Sequence, residues 1–274
     1  FDAAAAGYKC IASRVAAGVV IGIGPFNFPL TLLAHKVAPA IAVGAPIIVK
    51  PPPQAPSAAL LLARVAHTAG LPEGMLSVLP CSNAIAERLA TDPRPRVLSF
   101  TGSAKVGWML KAKSGAKHVL LEAGGNAGVA IAADADLDWA AKRCAMGSFA
   151  YAGQICIKVQ RIAVESSVYD AFLEKLLVAT RDLKVGDPFK EETSVGPLID
   201  DAAAERVAAW VEDARAGGAE VLVGGTREGR LMAPTLLTGV KRDMKVWSEE
   251  IFGPVAVVER VASMDEALDR LDDS

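Results

Sequence analysis

Cys156 closes the run FAYAGQIC (149–156), and Glu122 lies 34 positions earlier in LEAGG (121–125), each beside glycines. That is a nucleophile and a base. An ionised thiol attacks carbonyl carbon well, and a carboxylate held in a partly apolar pocket takes a proton from water or from that thiol. The chemistry would be at the acyl level. On residue type alone, a lone cysteine is also a small buried hydrophobe and a glutamate after a strand is also a solvated one. Both readings stand until more residues are considered.

Other segments carry chemistry-bearing residues at the ends of apolar runs. In GPFNFPL (24–30), Asn27 sits between two aromatic rings and two prolines. A side-chain amide fixed there would donate to a developing oxyanion, and an Asn in a turn also caps helices. Lys50 closes PIIVK and is followed by Pro51, Pro52 and Pro53, which hold the next residues extended. Its ammonium could reach a ribose or a phosphate, or simply face water. FTGSAKVG (100–107) puts Gly102 and Ser103 where a strand becomes a helix, a place whose unpaired N–H groups suit phosphate. It is neither a GxGxxG nor a Walker sequence. EEIFGPV (249–255) sets Glu250 and Phe252 in an acidic and aromatic turn, for which capping and packing are the ordinary roles.

Positioning these groups requires strands that end where they begin. Apolar β-rich runs at 19–24, 46–50, 75–80, 96–102 and 118–122 alternate with helical patterns at 30–43, 58–70, 84–90 and 104–114. Strand, helix, strand at this spacing predicts an open parallel sheet with helices on both faces. Ligands of such sheets bind outside the carboxyl ends of the strands, where Gly24, Lys50, Gly102 and Glu122 all fall. A second, mixed region starts near Gly124. It has strands at 128–133, 160–165 and 254–261, helices at 137–149, 167–180 and 200–217, a further β-rich run EVLVGG and a loop at 227–230.

Composition narrows the function. A 274-residue chain that is 52% hydrophobic can bury one large core or two moderate ones. A net charge of −2 without a long basic run leaves no footprint for nucleic acid or anionic lipid, so neither nucleic acid nor membrane is expected as a partner. Residues 15–34 are uncharged but broken by Gly18, Gly22, Gly24, Pro25 and Pro29, which fits strand, turn and helix rather than a span. Cys10, Cys81, Cys144 and Cys156 lack CxxC spacing, and His35, His67 and His118 lack HxxxH or HExxH spacing, so no metal site is expected. A reducing, cytoplasmic setting fits the cysteines. The first residues show no secretory signal.

Taken together, PFNFPL, the Lys50 segment, FTGS, LEAGG, GQIC and EEIFGP occur in an order and spacing that resemble the aldehyde dehydrogenase superfamily. The resemblance covers nearly the whole chain. It implies an α/β fold: part of an oligomerisation arm at 1–16, an open parallel-sheet, Rossmann-like NAD(P)-binding domain at 17–123, and an α/β catalytic domain at 124–274. It implies Cys156 as nucleophile, Glu122 as general base, and Asn27 as the oxyanion donor acting with the backbone N–H of Cys156. Lys50 would contact the adenosine ribose, Gly102 and Ser103 the pyrophosphate region, and Glu250 and Phe252 the nicotinamide ribose and ring. The implied protein is a homodimer or homotetramer oxidising a small-molecule aldehyde.

Departures from the family's common pattern sharpen those expectations. Phe26 stands for a frequent Trp, and Ala123 for the usual Leu of LELGG. Pro53 occupies the position where many NAD-preferring members carry a Glu, so NADP should be tolerated or preferred. Family members extend beyond both ends, so the chain reads as a central segment. Lys158 and Arg161, just after the thiol, could meet an anionic aldehyde, while Tyr151, Ile155 and Ile157 would make an apolar mouth. A cofactor-free thiol esterase and a non-catalytic nucleotide-binding or assembly fragment are the alternative readings.

Overall fold

A computed structural model describes residues 7–272, which fall into two compact units, one through Ala123 and one from Gly124. Residues 7–17 carry neither helix nor strand, and the rest of the expected arm, residues 1–6, lies outside the described residues.

The first unit alternates β1 (Val20–Ile23), α1 (Thr31–Ala42), β2 (Ile47–Lys50), α2 (Ser57–Thr68), β3 (Leu76–Val78), α3 (Asn83–Thr91), β4 (Val97–Thr101), α4 (Ala104–Lys113) and β5 (His118–Glu122). Its five strands are parallel in the order β3-β2-β1-β4-β5. The chain builds outward from β1 to β3, then crosses back to place β4 on the other side of β1. That reversal opens a crevice beyond the carboxyl ends of β1 and β4. Ile21, Leu98 and Phe100 pack on one layer of helices, and Ile47 and Val49 on Leu33 and Val37 of α1. Each such aliphatic side chain contributes about 1.5–3 kcal/mol by burial. Ser82 caps α3 by accepting from Ile85 N at 3.4 Å.

The second unit runs β6 (Ala127–Ile131), α5 (Leu137–Phe149), a 3₁₀ turn (Ala150–Gly153), β7 (Val159–Glu165), α6 (Tyr169–Arg181), α7 (Asp201–Ala216) and β8 (Glu220–Val223). It continues through β9 (Arg227–Glu228), β10 (Leu231–Met232), β11 (Thr235–Thr238), α8 (Lys245–Ser248), β12 (Val255–Val261) and α9 (Met264–Asp272). The sheet order is β6-β7-β12-β11-β8, parallel except for β8 against β11. Asp136 caps α5 and Asp200 caps α7, through Trp139 N at 3.1 Å and Ala203 N at 2.8 Å. The expected loop at 227–230 is instead a short hairpin, β9 paired with β10, turned by Gly229 at φ 57°. β11 was not foreseen either, because TLLT is too short to show a period.

Among the described residues, no helix is long and apolar enough to cross a membrane.

Candidate active site

In the first unit, the expected residues lie along one sheet edge. Lys50 and Glu122 are the last residues of β2 and β5, Asn27 lies in the loop leaving β1, and Gly102 and Ser103 follow β4. Backbone hydrogen bonds lace this edge: Gly24 N donates to Lys50 O at 3.2 Å, and Gly102 N to Glu122 O at 3.0 Å. A side chain at either glycine would force its neighbour to shift. A Cβ on Gly24 would stand 2.5 Å from Leu33 Cδ2, and one on Gly102 2.6 Å from the Phe100 ring.

Asn27 is buried, so its amide is held rather than solvated. Ser103 begins α4 without using its hydroxyl as a cap, leaving that hydroxyl and the first-turn N–H groups as donors at the crevice. Lys50 is 3% exposed, and its Nζ donates to Asn83 Oδ1 at 3.3 Å. Burial lowers its pKa, and the nearby Cys81 partly offsets that.

Lys36 is the residue that motif reading missed. It lies on the apolar stripe of α1 with Leu33, Val37 and Ala40, and its Nζ donates to Thr101 Oγ1 and Ser99 Oγ of β4. Burial lowers its pKa to about 8, and the charge of Glu122 works against that fall. The available signal was a lysine inside a helical i, i+3, i+4, i+7 apolar pattern.

In the second unit, three motif segments meet. Cys156 is exposed, whereas Cys144 is buried in α5 with its thiol pushed up to about 11. Gly125, the last glycine of LEAGG, comes so close to the Cys156 backbone that a Cβ there would sit 2.5 Å from its carbonyl oxygen. The same Gly125 donates its N–H to Glu250 Oε1 at 3.1 Å, and Gly124 packs against that carboxylate. Gly153 of GQIC is pressed on the Gly253 carbonyl of the EIFGP turn.

The approach to Cys156 is strained. Tyr151, Ala152 and Gly153 are consecutively left-handed, with φ of 56°, 56° and 67°. For the two residues with a Cβ, each costs about 1–2 kcal/mol. Gln154 opposes that cost: its Oε1 accepts from Ile199 N at 2.9 Å, and its Nε2 donates to Tyr151 O and Pro197 O. Phe252 is left-handed too, at φ 45°.

Two expectations need correction. Arg161 is 1% exposed and donates to Asn126 O, Arg270 O and Leu271 O, so it ties β7 to the residue before β6 and to α9 and does not meet a substrate. Lys158 is buried as well, donating to Gln160 Oε1, and is closed to an entering aldehyde. Tyr151 and Ile157, on either side of Cys156 in the chain, are exposed, and Ile155 is half-buried.

Several known proteins are similar to this chain. A 3-sulfolactaldehyde dehydrogenase of Priestia aryabhattai is 42% identical over 262 residues, covering 95% of this chain and 55% of that protein. The NAD(+) benzaldehyde dehydrogenase of Pseudomonas putida is 40% identical over 272 residues, covering 98% and 56%. Aldehyde dehydrogenase 21 of Physcomitrella patens, solved with the product succinate, superposes with a TM-score of 0.91 at 41% identity, over 94% of this chain and 54% of that one. The NADP complex of a glyceraldehyde-3-phosphate dehydrogenase of Methanocaldococcus jannaschii superposes at 0.90, with 38% identity, over 94% and 57%. The chain thus spans about half the length of the curated relatives it matches. With an exposed thiol framed by the LEAGG and EIFGP segments, and the family model for aldehyde dehydrogenases matching residues 2–274, this chain belongs to the aldehyde dehydrogenase family.

Proposed function

We propose that the protein oxidises a small aldehyde to its carboxylic acid with NAD⁺ or NADP⁺, through a thioester on Cys156. The observation that carries this reading is the packing of Gly125 on the Cys156 carbonyl while its N–H holds the Glu250 carboxylate. An exposed thiol and an acidic cofactor-loop residue are fixed by one glycine.

The residues present fit a dinucleotide. In the first unit, the crevice at the reversal of strand order, the donors at the start of α4 and the buried Lys50 would hold the pyrophosphate and adenosine ribose, and in the second unit Glu250 and Phe252 would take the nicotinamide ribose and ring. When bound, NAD(P)⁺ supplies the hydride acceptor. The chain's own residues do the rest. The Cys156 thiolate adds to the aldehyde carbon, making it tetrahedral and able to release hydride. The Asn27 amide and the Cys156 backbone N–H stabilise the oxyanion. After oxidation, Glu122 takes a proton from water, which attacks the thioester and frees the thiolate. Lys36, within electrostatic reach of Glu122, keeps a positive charge beside the base. Glu122 favours hydrolysis over transfer of the acyl group to coenzyme A. In this reading the protein is a homodimer or homotetramer acting on small aldehydes, and it works in the cytoplasm.

The test is a Cys156→Ala variant assayed for aldehyde-dependent formation of the reduced nicotinamide. Loss of at least about 10³-fold is expected from removing a nucleophile. Continued reduction would sink the scheme. Ester hydrolysis by wild type without any cofactor-dependent aldehyde oxidation would instead favour a thiol esterase.

A further inference from the structure

Lys158 has no role in that scheme, yet it is a lysine 5% exposed, two residues after the proposed nucleophile. A buried ammonium is costly to keep, and the residues around it give the reason. Its Nζ donates to Gln160 Oε1 at 3.4 Å. Gln160, also buried, clamps the segment that carries Glu250 from both sides. Its Nε2 donates to Glu249 O at 2.7 Å and Val246 O at 3.2 Å, and its Oε1 accepts from Ile251 N at 3.0 Å. Glu250 therefore lies between two backbone groups bound to one side chain. Glu250 is itself half-buried, which raises its pKa; against that act the Gly125 N–H, then Lys158 and Arg206 of α7.

We propose that Lys158 is a positioning residue: through Gln160 it fixes the backbone on either side of Glu250, and as the internal counter-charge it holds the Glu250 carboxylate in place for the cofactor ribose. The proposal rests on the reading of Glu250 as a cofactor contact. Lys158 differs from Arg206 in one respect. Arg206 is shared with Glu249 and Asp200, and although burial lowers its pKa a guanidinium stays protonated in proteins, whereas burial drops Lys158 to about 7. Of the charged groups around this segment, Glu250 acts on Lys158, Arg206 acts on Glu250 and Glu249, and Cys156 precedes Lys158 by two residues in the chain. As pH rises through about 7, the ammonium loses its proton, the carboxylate loses one of its two cations, and cofactor affinity should fall.

The experiment measures NADP⁺ binding by calorimetry on the purified protein from about pH 6 to 8.5, for wild type, Lys158→Met, Lys158→Arg and Glu250→Gln. Expected results are wild-type affinity that weakens across that range, about tenfold weaker and pH-flat binding for Lys158→Met at pH 6, and partial recovery of the acidic-side affinity in Lys158→Arg. The KM for cofactor should rise more than kcat falls. Wild-type affinity that does not change with pH overturns the proposal without any variant. So does Lys158→Met binding within about twofold of wild type with an unchanged pH profile, while Glu250→Gln binds weakly. Full affinity in Glu250→Gln removes the underlying reading of Glu250, and the proposal with it.

Discussion

Lys36 donates to Thr101 Oγ1 at 2.7 Å, which seats a buried ammonium one strand from Glu122, the residue paired with Thr101 across β4 and β5. This lysine costs stability. Its pKa falls from 10.5 to about 8 in the folded protein, so between those values the unfolded chain binds more protons and stability rises with pH. The penalty is fully present below about pH 8 and gone above the unfolded value. At 1.36 kcal/mol per pKa unit it is at most about 3 kcal/mol. Denaturant midpoints of wild type should therefore increase from about pH 7 to pH 10, and Lys36→Met should remove most of that increase. Parallel pH dependences in the two proteins would disprove it. Lys36→Met should also lower kcat by about tenfold, because the charge next to Glu122 is lost.

The two glycines of LEAGG should separate by kinetics. Alanine at Gly125 meets the carbonyl oxygen of Cys156, which is backbone and can move only with the whole thiol loop. Alanine at Gly124 meets the free end of the Glu250 side chain, which can swing. Gly125→Ala is expected to lose kcat by about 10²-fold, the scale of a 1 Å misplacement, and Gly124→Ala to raise the cofactor KM with a smaller change in kcat. Steady-state kinetics with both substrates varied decides between this and equal effects, which would mean that neither glycine serves the loop it touches.

Much of the first unit was readable from the chain because its signals are local. VVIGIG, PIIVK and RVLSFTG are continuous apolar runs closed by Gly or Pro, and each became a parallel strand with a site residue at its carboxyl end. The short β9, β10 and β11 carried no such signal. The buried polar residues were hidden for a different reason. Lys36, Gln154 and Gln160 act through long-range partners 43 to 91 positions away, among them Pro197, Ile199 and Ile251, and nothing in a linear pattern pairs them. Arg161 was misjudged because a charge beside a nucleophile looks like a substrate contact, while its neighbours Ile162, Ala163 and Val164 already marked a strand buried on both faces.

Gln154 should matter to folding as much as to catalysis. It is buried, accepts from Ile199 N at 2.9 Å, and restrains the left-handed stretch that delivers Cys156. Gln154→Leu keeps the volume roughly but strands the Ile199 N–H, a loss of about 1–3 kcal/mol. A lower denaturation midpoint is expected, with faster but less selective alkylation of Cys156 as its loop loosens. An unchanged midpoint and unchanged alkylation rate would show that the strained turn holds itself.

Cofactor choice is the last prediction, and it turns on Pro53. Lys50 is buried and tied to Asn83, while Pro53, three residues on, is exposed and offers no carboxylate. A carboxylate placed there would accept from the 2′-hydroxyl of an adenosine ribose and repel a 2′-phosphate, so its lack leaves the lysine's positive field unopposed. Wild type should accordingly use NADP⁺ at least as well as NAD⁺ by kcat/KM. Pro53→Glu should move the ratio toward NAD⁺ by about tenfold or more, since two charges at hydrogen-bonding distance near a protein surface repel by several kcal/mol before screening. Proline removal alone relaxes the backbone, so Pro53→Gln is the control, expected to leave the ratio near that of wild type. A strong NAD⁺ preference in wild type, or equal shifts in the Glu and Gln variants, would remove charge at this position as the determinant.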